Sequence, residues 1–201
     1  MKVIHAFLIA ATMAAGLAQP AFGQASSGTV SSKGPFLDAD IFSVGSDGVY
    51  REIYVDAGAS SNHQPGGPPA GSAFVFVIYV TQDASGNFDE GFGLIDGTFT
   101  IDKKLTSGSI TASGTVYSLF DGSPHTVSVS LDLTPSGPAL DESYVEHISV
   151  GTLKIVNKFS GTDVPATASG DGSIDGVDLG SFSEYFADLG SSKSSTLTIS
   201  H

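Results

Sequence analysis

The chain has 201 residues, with 8 basic against 21 acidic side chains, a formal charge of −13, and neither cysteine nor tryptophan. Disulfides, thiolate metal sites and cysteine nucleophiles are excluded, and the seven scattered basic residues beyond Lys2 form no patch of the kind that displaces counterions from nucleic acid. Charged residues are only 14% of the chain while glycine contributes 25 positions, a composition poor for helices and suited to short strands with tight turns.

The first element is an export leader. Lys2 precedes the apolar run Val3–Leu17 and a small-residue exit at Ala18–Ala25, the pattern of a secretory signal peptide. The run is shorter than the roughly 20 apolar residues of a spanning helix, so no membrane span is expected. Ala21-Phe22-Gly23 places small residues three before and one before a cut ahead of Gln24, and Gly23-Gln24-Ala25 offers a second cut ahead of Ser26. Residues 1–23 are expected to be a signal peptide and the mature protein to be secreted or periplasmic. Removing these 23 residues from 201 leaves 178, a length for one domain. Lys2 leaves with them, so 7 basic residues face 21 acidic ones, a balance of −14 that favours cations and repels anionic surfaces.

Residues 24–47 read as an N-terminal segment or first strand centred on Phe36-Leu37-Asp38-Ala39-Asp40-Ile41-Phe42, and residues 48–201 as the main β-domain. From Val49 the period is two: Val49, Arg51, Ile53 and Val55 alternate with Tyr50, Glu52, Tyr54 and Asp56. The stretch Gly58–Ser72, rich in proline and glycine, is a loop. Ala73–Thr81 is β-branched and aromatic on both faces, which predicts a strand buried on both sides. Asp83–Asn87 is turn chemistry, and strand character resumes from Phe92 to Ile101 around a turn or bulge at Asp96-Gly97. Ile110–Leu119 and His125–Thr134 pair as neighbours across Phe120–Pro124, with Val127, Val129, Leu131 and Leu133 on the buried face. Val145–Val156 holds one or two strands broken at Gly151, and Ser195–Ser200 alternates again. Eight to ten short strands at regular spacing predict an all-β antiparallel sandwich or barrel-like fold.

One segment reads as helix. Leu179, Phe182, Phe186 and Leu189 recur at spacings of three, four and three, with Asp178 to cap the start and Gly190 to close the end. Before it, Ser169–Asp178 is oxygen-rich. With Gly172 as the turning glycine, Asp171, Asp175 and Asp178 take the fifth, ninth and twelfth positions of a Ca²⁺ loop. This loop-helix at 167–190 resembles half of a dockerin module, whose calcium loop ends in Asp, and the resemblance implies Ca²⁺ on Asp171, Asp175 and Asp178. Thr167 and Ser169 stand where that pattern has carboxylate or Asn, and no second copy is present. Asp38, Asp40 and Asp47 form a second acidic trio suited to a solvated loop.

No catalytic motif stands out. His63, His125, His147 and His201 share no metal-ligand spacing, and Gly-x-Ser-x-Gly and a phosphate loop ending in Lys-Ser or Lys-Thr are absent. Carboxylates at Asp89, Glu90, Asp141, Glu142 and Glu146 are available for glycoside hydrolysis, which needs two that converge. The leading expectation is a non-enzymatic β-protein with a binding or structural role at the cell exterior and a protein or polysaccharide partner. The alternatives are a Ca²⁺-binding extracellular module and a hydrolase with dispersed acids.

Overall fold

The computed structural model describes residues 28–60, 73–150 and 153–200. The expected signal peptide, His63 and His201 lie outside them. Among the described residues ten strands follow one another: β1 Gly28–Val44, β2 Tyr50–Ser60, β3 Ala73–Gln82, β4 Phe88–Ile101, β5 Gly108–Ser118, β6 Pro124–Pro135, β7 Leu140–Val150, β8 Leu153–Ile174, β9 Val177–Asp178 and β10 Ser183–Ser200. Every pairing is antiparallel, as hairpin connections dictate.

Strands β1 to β6 pair in sequence order, β6 pairs β8, β8 pairs β10, and β10 returns to β1. Eight strands thus bond as a ring. At this size a barrel is just wide enough for side chains to fill it. The filling is aliphatic: Leu37, Ile41, Ile53, Val55, Val77, Ile110, Val127, Leu131, Leu133 and Leu189 are all fully buried in one cluster. Where bulky residues meet, the facing position is small. Gly172 leaves room for Ile41 and Ile53, and Gly108 leaves room for Leu189.

β7 pairs the first half of β8, whose other edge is bonded to β10. β8 pairs β6 from Ala166 to Ile174 and β7 from Leu153 to Asp163, so β6 and β7 lie end to end along one edge of β8. Tyr144 on β7 stacks on Phe159 of β8 with ring centroids 5.3 Å apart, and Phe159 meets Phe36 of β1 edge to face at 5.8 Å.

β3 is covered on both sides as its composition requires. Val75, Val77 and Tyr79 face the ring interior and Phe76 is buried on the outer face, while Phe74, Ile78 and Val80 are half-buried. β4 runs unbroken through Asp96-Gly97, and β2 continues to Ser60, so the expected loop begins later than Gly58.

The expected helix is replaced by strand. β10 pairs β1 along one edge and β8 along the other, so its backbone groups are bonded on both sides and a helix would forfeit that closure. Leu179 and Phe182 precede β10, and the strand they lead into carries a bulge before Phe186. Phe182 and Leu189 pack with the interior cluster, while Phe186 joins Tyr54 and Phe76 outside it. Asp178 accepts the Gly180 N–H at 2.9 Å in a turn rather than capping a helix, and Gly190 gives its space to the Phe36 ring.

Phe76→Ala removes a ring 2% exposed, and we expect a loss of about 3–5 kcal/mol. Chemical denaturation reads this, and a shift below about 1 kcal/mol would place β3 outside the core.

Candidate functional site

Three polar constellations stand out on the ring, and each has a different chemical character. The first plugs one mouth. Tyr79, Asp89, Ser118 and His125 come from the ends of β3, β4, β5 and β6, and Asp175 from the turn after β8. The Tyr79 hydroxyl donates to Asp89 Oδ2 at 2.7 Å and the Ser118 hydroxyl to Asp89 Oδ1 at 2.6 Å. His125 Nδ1 lies 2.7 Å from Asp175 Oδ2, and its Nε2 lies 3.0 Å from Ser123 Oγ and 3.2 Å from Asp89 Oδ2. The Thr126 N–H donates to Asp175 Oδ1 at 2.8 Å. Asp175 takes a left-handed φ of 53° to reach this position, a conformation Asp tolerates better than most residues.

Ser123, His125 and Asp175 thus stand at the distances of a nucleophile, base and orienting acid. Acyl transfer also needs free donors for the oxyanion, and the neighbouring amides are occupied. Ser123 N–H is held by Asp121 Oδ1, Gly122 N–H by the Ser118 carbonyl, and Phe120 N–H by Ser118 Oγ, while residue 124 is a proline. Asp89 competes with Ser123 for Nε2. The geometry is that of a satisfied hydrogen-bond plug closing the apolar column, and Arg51, paired with Asp47 at 2.7 Å, adds to the same mouth.

The second constellation is a shallow trough of about 670 Å³ on the outer face of β4, β5, β6 and β8. Cross-strand register builds its floor: Asp96, Ser113, Ser128 and Ser173 lie in one row, and Thr98, Thr111, Ser130 and Asp171 in the next. Asp96 stands at one end and Asp178, beyond Gly176, at the other. The side chains are small because period-two alternation sends Val127, Val129 and Leu131 inward and leaves hydroxyls outside.

The third is a buried acidic row on the outer face of β1, β2 and β10. Asp38 is directly opposite Asp56 on one side and Asp188 on the other, and these three are 3%, 7% and 7% exposed. Asp40, 4% exposed, follows on β1. Oδ1 of Asp38, Oδ1 of Asp40 and the Tyr54 hydroxyl are buried without a hydrogen-bond partner. Burial, then the charges of Asp188, Asp56 and Asp163, hold the Asp38 carboxyl well above the usual range. Burial raises Asp56 to about 7, and burial followed by the neighbouring charge of Glu52 raises Asp40 to about 8.

The structure separates the residues expected to bind Ca²⁺. Asp171 and Asp178 line the trough, whereas Asp175 turns to His125 and Thr126. Residues 167–174 are extended in β8 rather than looped, and Gly172 serves packing. Among the described residues no three His, Cys, Asp or Glu groups are placed to hold a metal ion. Asp38 and Asp40, expected in a solvated loop, are buried strand residues on the outer face of the ring. Their apolar neighbours Phe36, Leu37, Ala39, Ile41 and Phe42 carried that information, since alternation with bulky residues on both faces leaves no solvated side. The plug was half-legible: Ser123 and His125, two apart at a strand start, share a face, but nothing marks Asp175, fifty residues on.

Compared with known protein families, curated proteins and solved structures, the chain matches none of them.

His125→Ala strips the ring from between Asp89 and Asp175, and we expect a loss of about 1–3 kcal/mol. Thermal denaturation checks it, and unchanged melting would mean water replaces the imidazole without cost.

Proposed function

We propose that the chain is an exported, non-enzymatic binding protein that holds a polyhydroxylated polymer, a polysaccharide, at the cell exterior. The observation that carries this reading is the trough: hydroxyls of Thr111, Ser113, Ser128, Ser130 and Ser173 on its floor, with Asp96, Asp171 and Asp178 among its lining residues. Hydroxyls both donate and accept, and carboxylates accept from sugar diols. Tyr117, half exposed and two residues beyond Thr115 on the same outer face of β5, adds a ring on which a sugar can rest. The leader at residues 1–23 supports export. Among the described residues no helix is long and apolar enough to cross a membrane. The acidic charge supports a neutral or cationic ligand over nucleic acid.

Ser113→Tyr and Ser128→Tyr fill the trough floor from an exposed face. Affinity electrophoresis against a panel of neutral and amino-sugar polysaccharides should show retardation of the parent chain, weakened by about tenfold or more in either variant, a change of about 1.4 kcal/mol. Melting temperatures should be unchanged. No retardation by any polymer, or equal retardation of variants and parent, would overturn the reading.

A second reading places Ca²⁺ between Asp171 and Asp178, which stand on the paired strands β8 and β9 at one end of the trough. An ion bound only to the folded state raises the melting temperature by mass action. The rise between chelator and excess Ca²⁺ should vanish in Asp171→Ala/Asp178→Ala with the β core intact.

A further inference from the structure

Two acids of the trough differ from the turn acids around the ring. Carboxylates in the hairpin turns are committed locally: Asp47 to Arg51, Asp83 to the Ser85 and Asn87 N–H groups, Asp102 to the Thr106 hydroxyl and Asp121 to the Ser123 N–H. Asp96 and Asp171 are exposed and, among the described residues, their carboxylates make neither hydrogen bond nor ion pair. Hydroxyls stand directly across from both, Ser113 from Asp96 and Ser130 from Asp171, and these are equally uncommitted. Elsewhere on the trough Ser128 and Ser173 bond each other at 3.0 Å, and Asp178 accepts the Gly180 N–H at 2.9 Å.

Cross-strand register sets the distance between the two free carboxylates. Asp96 is on β4 and Asp171 on β8, three strand spacings apart and one row offset, which is about 16 Å along the sheet. No small ion touches both. An extended polymer running across the strands meets fresh hydroxyls on each strand and reaches both ends. The carboxylates decide what that polymer carries. A neutral diol that displaces water from a carboxylate returns neutral-donor hydrogen bonds, whereas an ammonium returns charge-assisted ones roughly twice as strong. Among the described residues no lysine or arginine lines the trough, and 21 acidic against 8 basic side chains draw cations to the surface as a whole.

We propose that the trough selects a polysaccharide of amino sugars with free amines, laid across β4, β5, β6 and β8 with one protonated amine on Asp96 and another on Asp171. This rests on the reading of the trough as a polysaccharide site, and adds the charge of the ligand and its direction on the sheet. Floor hydroxyls bond the ring hydroxyls of the sugars, and the two carboxylates fix which residues of the polymer lie between them. Because one molecule engages both acids, the second contact forms at the effective concentration set by the first.

Isothermal titration calorimetry tests it with hexamers of glucosamine, of N-acetylglucosamine and of glucose, at mildly acidic pH and physiological salt, where sugar amines are charged and distant surface charge is screened. The glucosamine hexamer should bind about tenfold or more tighter than either neutral hexamer. Asp96→Asn and Asp171→Asn should each weaken that hexamer by about tenfold and leave the neutral ones unaffected, with melting temperatures equal to the parent. Asp141→Asn removes the same charge on β7, outside the trough, and should change affinity by less than about twofold. Equal affinity for charged and neutral hexamers would overturn the amine selection and leave the polysaccharide reading standing, whereas no binding of any hexamer would overturn both. Parent-like affinity in either trough variant also sinks the proposal. So does oligolysine binding as tightly as the glucosamine hexamer, or a loss in Asp141→Asn as large as in the trough variants, since either reduces the attraction to surface charge alone.

Discussion

Ring closure through β10 is the constraint on which the other features rest. An open sheet of this length would end in unpaired N–H and C=O groups, a template for aggregation. β10 bonds to β1 along one edge and to β8 along the other. Closure fixes a small interior that aliphatic side chains must fill without clash, so large and small residues alternate across facing strands. Ile95 lies where a side chain on Gly114 would stand, and Tyr79 does the same at Gly91. It also divides every ring strand into an inner and an outer face, which is how one hydroxyl-rich surface and one acidic surface arise on the same sheet.

The polar groups of the ring then fall into two thermodynamic kinds. In the mouth plug, Asp89 receives Tyr79 and Ser118, and Asp175 receives His125 and Thr126. Such a network rigidifies because every member is matched. In the acidic row, oxygens of Asp38 and Asp40 and the hydroxyl of Tyr54 lack partners. The proton is the smallest ligand that relieves this, and it does so without any further convergence of the carboxylates. Satisfied and unsatisfied acids thus lie on neighbouring elements of one fold, and their difference is one of hydrogen-bond supply rather than residue type.

Exposed hydrophobic residues also gather where hairpins leave the ring. Phe88 and Phe120 meet edge to face at 5.9 Å near the plug, and Tyr117 and Leu119 are exposed nearby.

Local pattern by itself determined the all-β class and most strand positions. Alternation of Val127, Val129, Leu131 and Leu133 with small polar residues is set by the pleat and survives in any antiparallel packing. The doubly apolar run of β3 likewise had to be buried on both faces. Tertiary structure decided what local pattern leaves degenerate. Leu179, Phe182, Phe186 and Leu189 fit a helical stripe, but the open seam between β1 and β8 selects a strand from Ser183 onward, with Leu179 and Phe182 leading into it and a bulge before Phe186. Asp171, Asp175 and Asp178 are close in sequence, yet an extended backbone followed by a left-handed turn sends Asp175 to His125 and the other two to the trough. Asp38 becomes a buried member of a carboxylate row because β2 and β10 bring Asp56 and Asp188 opposite it, a register that depends on residues up to 150 positions away.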